Sequence, residues 1–158
     1  MILQIITVGT LKESYLKDAL AECKKRLSQY ARVEEVSIAE SRIANEDDKS
    51  EIARALSTEG DKILAAMPKD AYKIALCVEG REYDSPALAD LISRGGDKSG
   101  KISLVIGSSY GLDEKVKAAC DARLSLSKLT FPHQLMRVIL CEALYRSFTI
   151  IAGKRYHK

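Results

Sequence analysis

Apolar residues recur along the chain in short runs and in longer stretches with helical spacing. The short runs are rich in β-branched residues and predict strands. They lie at residues 2–8, 33–38, 72–78, 102–106 and 122–126. In the longer stretches apolar residues repeat every three or four positions, which is typical of helices with one buried face. These stretches lie at 13–30, 48–67 and 132–151, with shorter helices at 85–93 and after Asp113.

The predicted elements alternate regularly between strand and helix. Such alternation builds a parallel or mostly parallel sheet with helices on both faces, so the predicted fold class is α/β. We find no internal repeat, linker or low-complexity segment and expect one domain over 1–158. The polar, glycine-rich segment 94–101 is interpreted as a surface connection.

Three predicted strands end in segments suited to ligand binding, at residues 76–80, 107–111 and 126–131. The carboxyl ends of parallel strands share one edge of the sheet, and ligands of α/β proteins bind at that edge. Glycines there let a ligand approach the backbone closely, and leucines can cover its flat faces. If the three strands are neighbours, their ends form a site that suits an adenosine-like ligand.

The last of these segments leads directly into the longest apolar helix. Pro132 has the fixed backbone angle and missing N–H that suit a first helical position. His133 lies in the first turn, and Arg137 follows it by one helical turn. A helix start with exposed N–H groups is a natural place to bind a ligand.

Composition and charge narrow the possible functions only slightly. An apolar share of 46% and a charged share of 30% are typical of soluble globular proteins. No apolar run is long enough to span a membrane, and we interpret residues 1–10 as a buried strand in a cytoplasmic protein. The four cysteines are widely spaced in apolar surroundings, so we expect reduced, buried thiols and no metal. The net charge of +3 is small, but the segment 153–158 is basic and ends in an aromatic and a histidine.

Several motifs together resemble one known family. They are Val105-Ile106-Gly107, Gly111-Leu112, the segment 124–131, Pro132-His133, Met136-Arg137, the segment 142–146 and the terminal Tyr156-His157. The sequence resembles the bacterial ribosomal RNA large-subunit methyltransferase H family of the SPOUT superfamily, over its whole length. The family usually has a second glycine where this chain has Ser108, and we expect a local adjustment of the loop there.

The resemblance implies a fold, a reaction and a set of partners. The fold is a SPOUT-type α/β knot, in which the C-terminal segment forms a trefoil knot. The reaction is methylation of N3 of a pseudouridine in 23S rRNA, with S-adenosyl-L-methionine as the methyl donor. The implied partners are a second copy of the chain, in a homodimer, and the assembled ribosome.

The resemblance also implies which residues bind the methyl donor. These are Leu76, Gly107, Leu126, Ser127, Lys128, Leu129, Thr130 and Phe131. Ordinary core packing is the alternative role for the three leucines.

Four residues are candidates for the methyl transfer itself. His133 and His157 are candidates to accept the N3 proton, because histidine is the side chain best suited to proton transfer near neutral pH. Arg137 can stabilise the developing anion or bind a phosphate, and Tyr156 can stack on the base. The sequence leaves open which residue accepts the proton.

Two other functions compete with this one. Residues 107–111 match the Gly-x-Ser-x-Gly pattern of serine hydrolases, with Ser109 as the nucleophile and His133 or His157 as the base. The following helix, however, is predicted to begin near Asp113 rather than at the serine. The third possibility is a non-catalytic RNA-binding module that uses the basic tail alone.

Overall fold

The structure is a computed structural model that describes residues 1–155. Its strands are β1 (Ile2–Val8), β2 (Arg32–Ile38), β3 (Tyr72–Glu82), β4 (Lys101–Ile106) and β5 (Ala122–Ser125). Its helices are α1 (Ser14–Leu27), α2 (Lys49–Ala66), α3 (Ser85–Ser99), α4 (Glu114–Ala118) and α5 (His133–Ile151). The predicted alternation of strand and helix is therefore confirmed over the described residues.

The strands form one sheet in the order β2-β1-β4-β3-β5. Every pairing between these strands is parallel, which confirms the predicted α/β architecture. The three strands whose ends carry the candidate segments, β3, β4 and β5, are neighbours in this order. The trefoil knot and the single domain over 1–158 stay predictions.

Helices cover both faces of the sheet, because alternate side chains of each strand point to opposite faces. On one face α1, α3 and α5 enclose the larger core cluster, to which β1 contributes Leu3 and Ile5. On the other face α2 and α4 cover a smaller cluster that includes Ile6 and Val8 of the same strand. The central strand β4 is fully buried along most of its length, as expected for a sheet covered on both sides.

Several element boundaries differ from the sequence-based prediction. The strand β3 continues to Glu82 instead of ending at residue 78. The predicted surface connection 94–101 is wrong, because α3 continues to Ser99 and Gly100 caps it with a φ of 68°. Gly95 lies inside this helix, and a Cβ there would stand 2.6 Å from the Tyr72 ring, so the glycine permits close packing. The helix α5 begins at His133, whereas the sequence predicted Pro132 as its first helical residue. At α3 a tertiary contact and a glycine cap, rather than local propensity, set the boundary.

The remaining expectations concern cysteines and membranes. Cys23 and Cys141 are buried as expected, whereas Cys77 and Cys120 are partly exposed; all four are free thiols. Within residues 1–155, no helix combines the length and the apolar content that a membrane span requires. The same part of the chain holds no cluster of three or more histidine, cysteine or carboxylate side chains suited to a metal ion.

Candidate functional site

A cavity of about 440 Å³ lies at the carboxyl ends of β3, β4 and β5. Its walls come mainly from residues 76–79, 106–112, 124–127 and 129–131, which overlap the three segments that the sequence singled out at 76–80, 107–111 and 126–131. The first turn of α5 closes one side through His133 and Met136. The convergence of three strand ends follows from the strand order, since parallel neighbours end at the same edge.

Most of the residues predicted to bind the methyl donor line this cavity. They are Leu76, Gly107, Leu126, Ser127, Leu129, Thr130 and Phe131. Lys128 does not line it: its side chain is 86% exposed, and its Nζ lies 3.9 Å from Glu82. The structure thus brings seven of the eight together, and their role in binding stays a prediction.

The glycine loop 107–111 is held in a tight turn. The Gly111 N–H donates to the Ser108 carbonyl at 2.9 Å, and Gly111 has a φ of 89°. A Cβ at Gly107 would run into the Gly111 carbonyl and come within 3.0 Å of the Leu112 side chain. Ser108 has no positive φ, so the serine that replaces the family's glycine is not strained there.

The segment after β5 folds back on itself around Ser127. Its hydroxyl accepts from the Leu129 N–H at 3.0 Å, and the Ser125 hydroxyl donates to the Ser127 carbonyl at the same distance. This turn exposes Leu129 by 70% and Phe131 by 38% at the rim of the cavity. Apolar side chains so exposed around a cavity indicate a surface that another molecule covers.

The predicted catalytic residues have different locations. His133 lines the cavity and also borders a second cavity of about 400 Å³ formed with the loops after β1 and β2. Arg137 is only 7% exposed and donates from Nη2 to the carbonyls of Val8 and Gly9, at 2.8 and 2.9 Å. Tyr156 and His157 lie outside the described residues.

Arg137 is thus bound to the backbone at the end of β1. Burial lowers the pKa of its guanidinium, and its Nε is buried without a hydrogen-bond partner among residues 1–155. These contacts describe a structural tie between α5 and β1. A direct role in catalysis stays a prediction for this residue.

Two charged residues on the cavity wall were not singled out as site residues by the sequence analysis. Lys117 of α4 has a side chain only 14% exposed and pairs with the carboxylate of Glu79, beyond Leu76 on β3. This contact holds the pKa of Glu79 below its ordinary value. Residues 79 and 117 are 38 positions apart, so no local pattern could have paired them. The pairing could have been predicted only by expecting α4 to lie near the end of β3.

The fold and the cavity define an α/β protein with a ligand site at the carboxyl edge of a parallel sheet. The family model described as "Predicted SPOUT methyltransferase" matches residues 1–157. Ribosomal RNA large subunit methyltransferase H of Shouchella clausii is 42% identical, and that of Listeria monocytogenes 43%, each over the full length of both chains.

Solved structures agree at the level of the fold. A probable methyltransferase from Bordetella pertussis has a TM-score of 0.58 and 14% identity, over 92% of this chain and 93% of that one. A tRNA methyltransferase from Aquifex aeolicus has a TM-score of 0.52 and 15% identity, over 92% and 70%. The chain belongs to the ribosomal RNA large subunit methyltransferase H family of SPOUT methyltransferases, which confirms the resemblance. It is therefore a methyltransferase.

Proposed function

We propose that this protein transfers a methyl group from S-adenosyl-L-methionine to N3 of a pseudouridine in 23S rRNA of the assembled ribosome. The observation that carries the proposal is the convergence of three neighbouring strand ends on one cavity of about 440 Å³, in a member of this methyltransferase family. The relatives at 42% and 43% identity are named for ribosomal RNA methylation, which supports the choice of substrate. Since ribosomes are cytoplasmic, the protein acts in the cytoplasm.

The cavity fits an adenosine-containing donor in size and in chemistry. Pockets of 300–1,000 Å³, roughly, hold ligands of this class. Leu76, Leu124 and Leu126 offer apolar walls for a purine ring. A side chain at Gly107 would collide with the opposite arm of the loop, so glycine is required for this turn of the cavity wall. When bound, the donor supplies an activated methyl group, because the sulfonium sulfur to which the methyl is attached is a good leaving group.

The protein must then align the acceptor base and remove one proton. Alignment of the reacting atoms can contribute several kcal/mol by itself. His133 borders both cavities, and it accepts the N3 proton in this proposal, with His157 as the other candidate. Tyr156 stacks on the base in this proposal. Arg137 is bound to the carbonyls of Val8 and Gly9, so it would have to release them to stabilise the negative charge that develops on the base.

The enzyme acts as a homodimer in this proposal. Leu129 and Phe131, with Val78 and Tyr110, place four exposed apolar side chains around the cavity. Such a rim is costly to leave in water, and a second copy of the chain would cover it. Sedimentation equilibrium tests this directly, since a monomer at all concentrations would contradict it.

The central experiment compares binding and methylation with the same protein. Calorimetry with S-adenosyl-L-methionine should give heat. Ribosomes from cells that lack this protein are then incubated with it and the donor, and mass spectrometry should detect one added methyl on their 23S rRNA. Naked 23S rRNA should be methylated far less than ribosomes, because one small domain has little surface with which to find a single base. Equal methylation of both substrates would contradict the ribosome as the substrate.

The serine hydrolase alternative is not favoured. Ser109 lies in an exposed loop and α4 begins at Glu114, so the serine is not on the strand-to-helix elbow that a hydrolase requires. Ser109→Ala should therefore retain most of the methyltransferase activity. Loss of an esterase activity in the same variant would instead support the hydrolase.

A further inference from the structure

The ion pair between Lys117 and Glu79 is the one feature of the cavity wall that the proposed function does not use. Both residues line the cavity, and among residues 1–155 they are its only lysine, arginine or carboxylate side chains. The other lining residues are apolar, carry a hydroxyl or a thiol, or are glycines, apart from His133. The Lys117 side chain is 14% exposed and that of Glu79 is 54% exposed, so the ammonium is the more buried of the two.

A break in the pairing of β3 brings Glu79 to the wall. Leu76 and Arg81 both lie opposite Leu124 of β5, so the residues between them bulge out of the ladder. Gly80 permits this bulge to lie directly on β5, because a Cβ there would stand 2.7 Å from the Leu124 backbone. Bulges redirect side chains and are common beside functional sites. This one places Glu79 on the cavity wall instead of in the ladder.

The helix α4 presents Lys117 from the other side. Asp113 caps this helix by accepting from the Lys115 N–H at 2.9 Å. Within α4, the carboxylate of Glu114 lies 4.0 Å from Lys117 Nζ, and it also accepts from Arg123 of β5 at 2.8 Å. An ion pair with an exposed carboxylate contributes little to stability, so stability alone does not account for a nearly buried lysine at this position.

The methyl donor carries opposite charges at one of its ends. Its amino-acid group has an ammonium and a carboxylate on the same carbon, whereas its adenosine end is uncharged. Glu79 suits the ammonium and Lys117 suits the carboxylate, since hydrogen bonds between charged groups are the stronger ones. An ammonium and a carboxylate can each make several hydrogen bonds, so the pair can stay intact while each member contacts the donor. The apolar wall of Leu76, Leu124 and Leu126 remains available for the adenine.

We propose that Lys117 and Glu79 bind the amino-acid end of the methyl donor, the lysine its carboxylate and the glutamate its ammonium. The inference rests on the proposed function, because it takes the cavity to be the donor site. It gives the donor a direction: the adenosine lies against the leucines, and the amino acid points toward α4. An RNA phosphate is disfavoured in the same place, because Glu79 would repel it.

The test pairs the removal of each side chain with the removal of its partner group from the ligand. Calorimetry measures three ligands: S-adenosyl-L-methionine, its decarboxylated form, which keeps the ammonium, and 5′-methylthioadenosine, which lacks the amino acid. Lys117→Met should bind S-adenosyl-L-methionine about tenfold less well, and the other two ligands no more than about twofold less well. Glu79→Gln should bind both ligands that carry the ammonium about tenfold less well, and methylthioadenosine as the wild type does.

Lys115→Met is the matched control. Lys115 lies on the same helix, but its Nζ pairs with Asp61 at 2.8 Å, and it does not line the cavity. Its affinity for all three ligands should equal that of the wild type. Thermal unfolding is recorded for each variant, so that binding is compared only where the protein is folded.

The outcomes separate the two proposals. If Lys117→Met weakens the decarboxylated donor as much as S-adenosyl-L-methionine, the lysine only shapes the cavity, and the inference is wrong while the proposed function stands. Unchanged affinity for S-adenosyl-L-methionine in both variants would also overturn it. If the wild type gives no heat with S-adenosyl-L-methionine, the proposed function and the inference fall together. Glu79→Gln alone decides the matter if Lys117→Met does not fold.

Discussion

Replacing Arg137 by methionine should destabilise the protein, whatever else it does. The side chain is 7% exposed and donates to two backbone carbonyls, at 2.8 and 2.9 Å, that lie 129 and 128 residues away in the sequence. Methionine keeps the apolar stem and removes both hydrogen bonds. The guanidinium already bears a desolvation cost, which is why its pKa is lowered, so part of the loss is offset.

The size of the effect follows from these contacts. Hydrogen bonds from a charged donor contribute about 1.5–3 kcal/mol each, and the regained solvation of arginine in the unfolded state reduces the sum. We expect a net loss of about 2–4 kcal/mol. For a chain of this length that lowers the unfolding temperature by roughly 5–15 °C. Arg137→Lys should fall between, because an ammonium can reach one carbonyl well but lacks the planar fork.

Differential scanning fluorimetry at a fixed protein concentration measures the shift, since the proposed dimerisation would make the unfolding temperature concentration-dependent. Arg32→Met is the matched control, because that side chain is 76% exposed and its pair with Glu34 contributes little. Methylation is assayed well below both unfolding temperatures. An unchanged unfolding temperature together with lost methylation would refute the structural role and assign Arg137 to the substrate.

Three further predictions concern the cavity and the tail. Gly107→Ala should weaken S-adenosyl-L-methionine binding at least about tenfold in calorimetry, because the added Cβ meets Leu112 at 3.0 Å and the opposite arm of the loop; equal affinity would contradict the donor site. Glu79→Gln should cost less than about 1 kcal/mol in urea unfolding at neutral pH, since its partner Lys117 holds the carboxyl pKa down at an exposed site. That stability is present above the unfolded pKa and is lost as pH falls through the lowered folded pKa, so the difference from wild type should shrink as the solution is acidified below the ordinary glutamate pKa. Truncation after Gly153 should abolish methylation and leave donor binding intact; parallel loss of both would argue against a separate role for the tail.

The sequence predicted the location of the site because the alternation of elements constrains it strongly. Parallel strands joined by helices end at one edge of the sheet. The apolar runs that lead into Gly107 and Ser127 therefore indicate the position of the cavity from the sequence alone. The same reasoning could not predict contacts between residues that are far apart in the sequence. The pairing of Lys117 with Glu79 and the tie from Arg137 to Val8 depend on how helices settle on the sheet.

The error at α3 has a comparable cause. Gly95 and Gly96 resemble a loop in sequence, because glycine lowers helix stability by about 1 kcal/mol per residue. In the structure Gly95 packs against the Tyr72 ring, where a Cβ would collide, and Gly96 lies against the end of the Met1 side chain. Tertiary packing therefore outweighs propensity at this point, and the helix continues to Ser99.

The helix α5 links the candidate site to contacts far from it. His133 lies at its start on the cavity, and Arg137, one turn later, is bound to the end of β1. Further along, Glu142 accepts from Arg26 of α1 at 3.0 Å, and the Arg26 guanidinium lies 4.7 Å from the centroid of the Tyr145 ring. His133 is therefore carried by a helix that is fixed against both β1 and α1. Changes at the contact between α1 and α5 should consequently alter methyl transfer without touching the cavity.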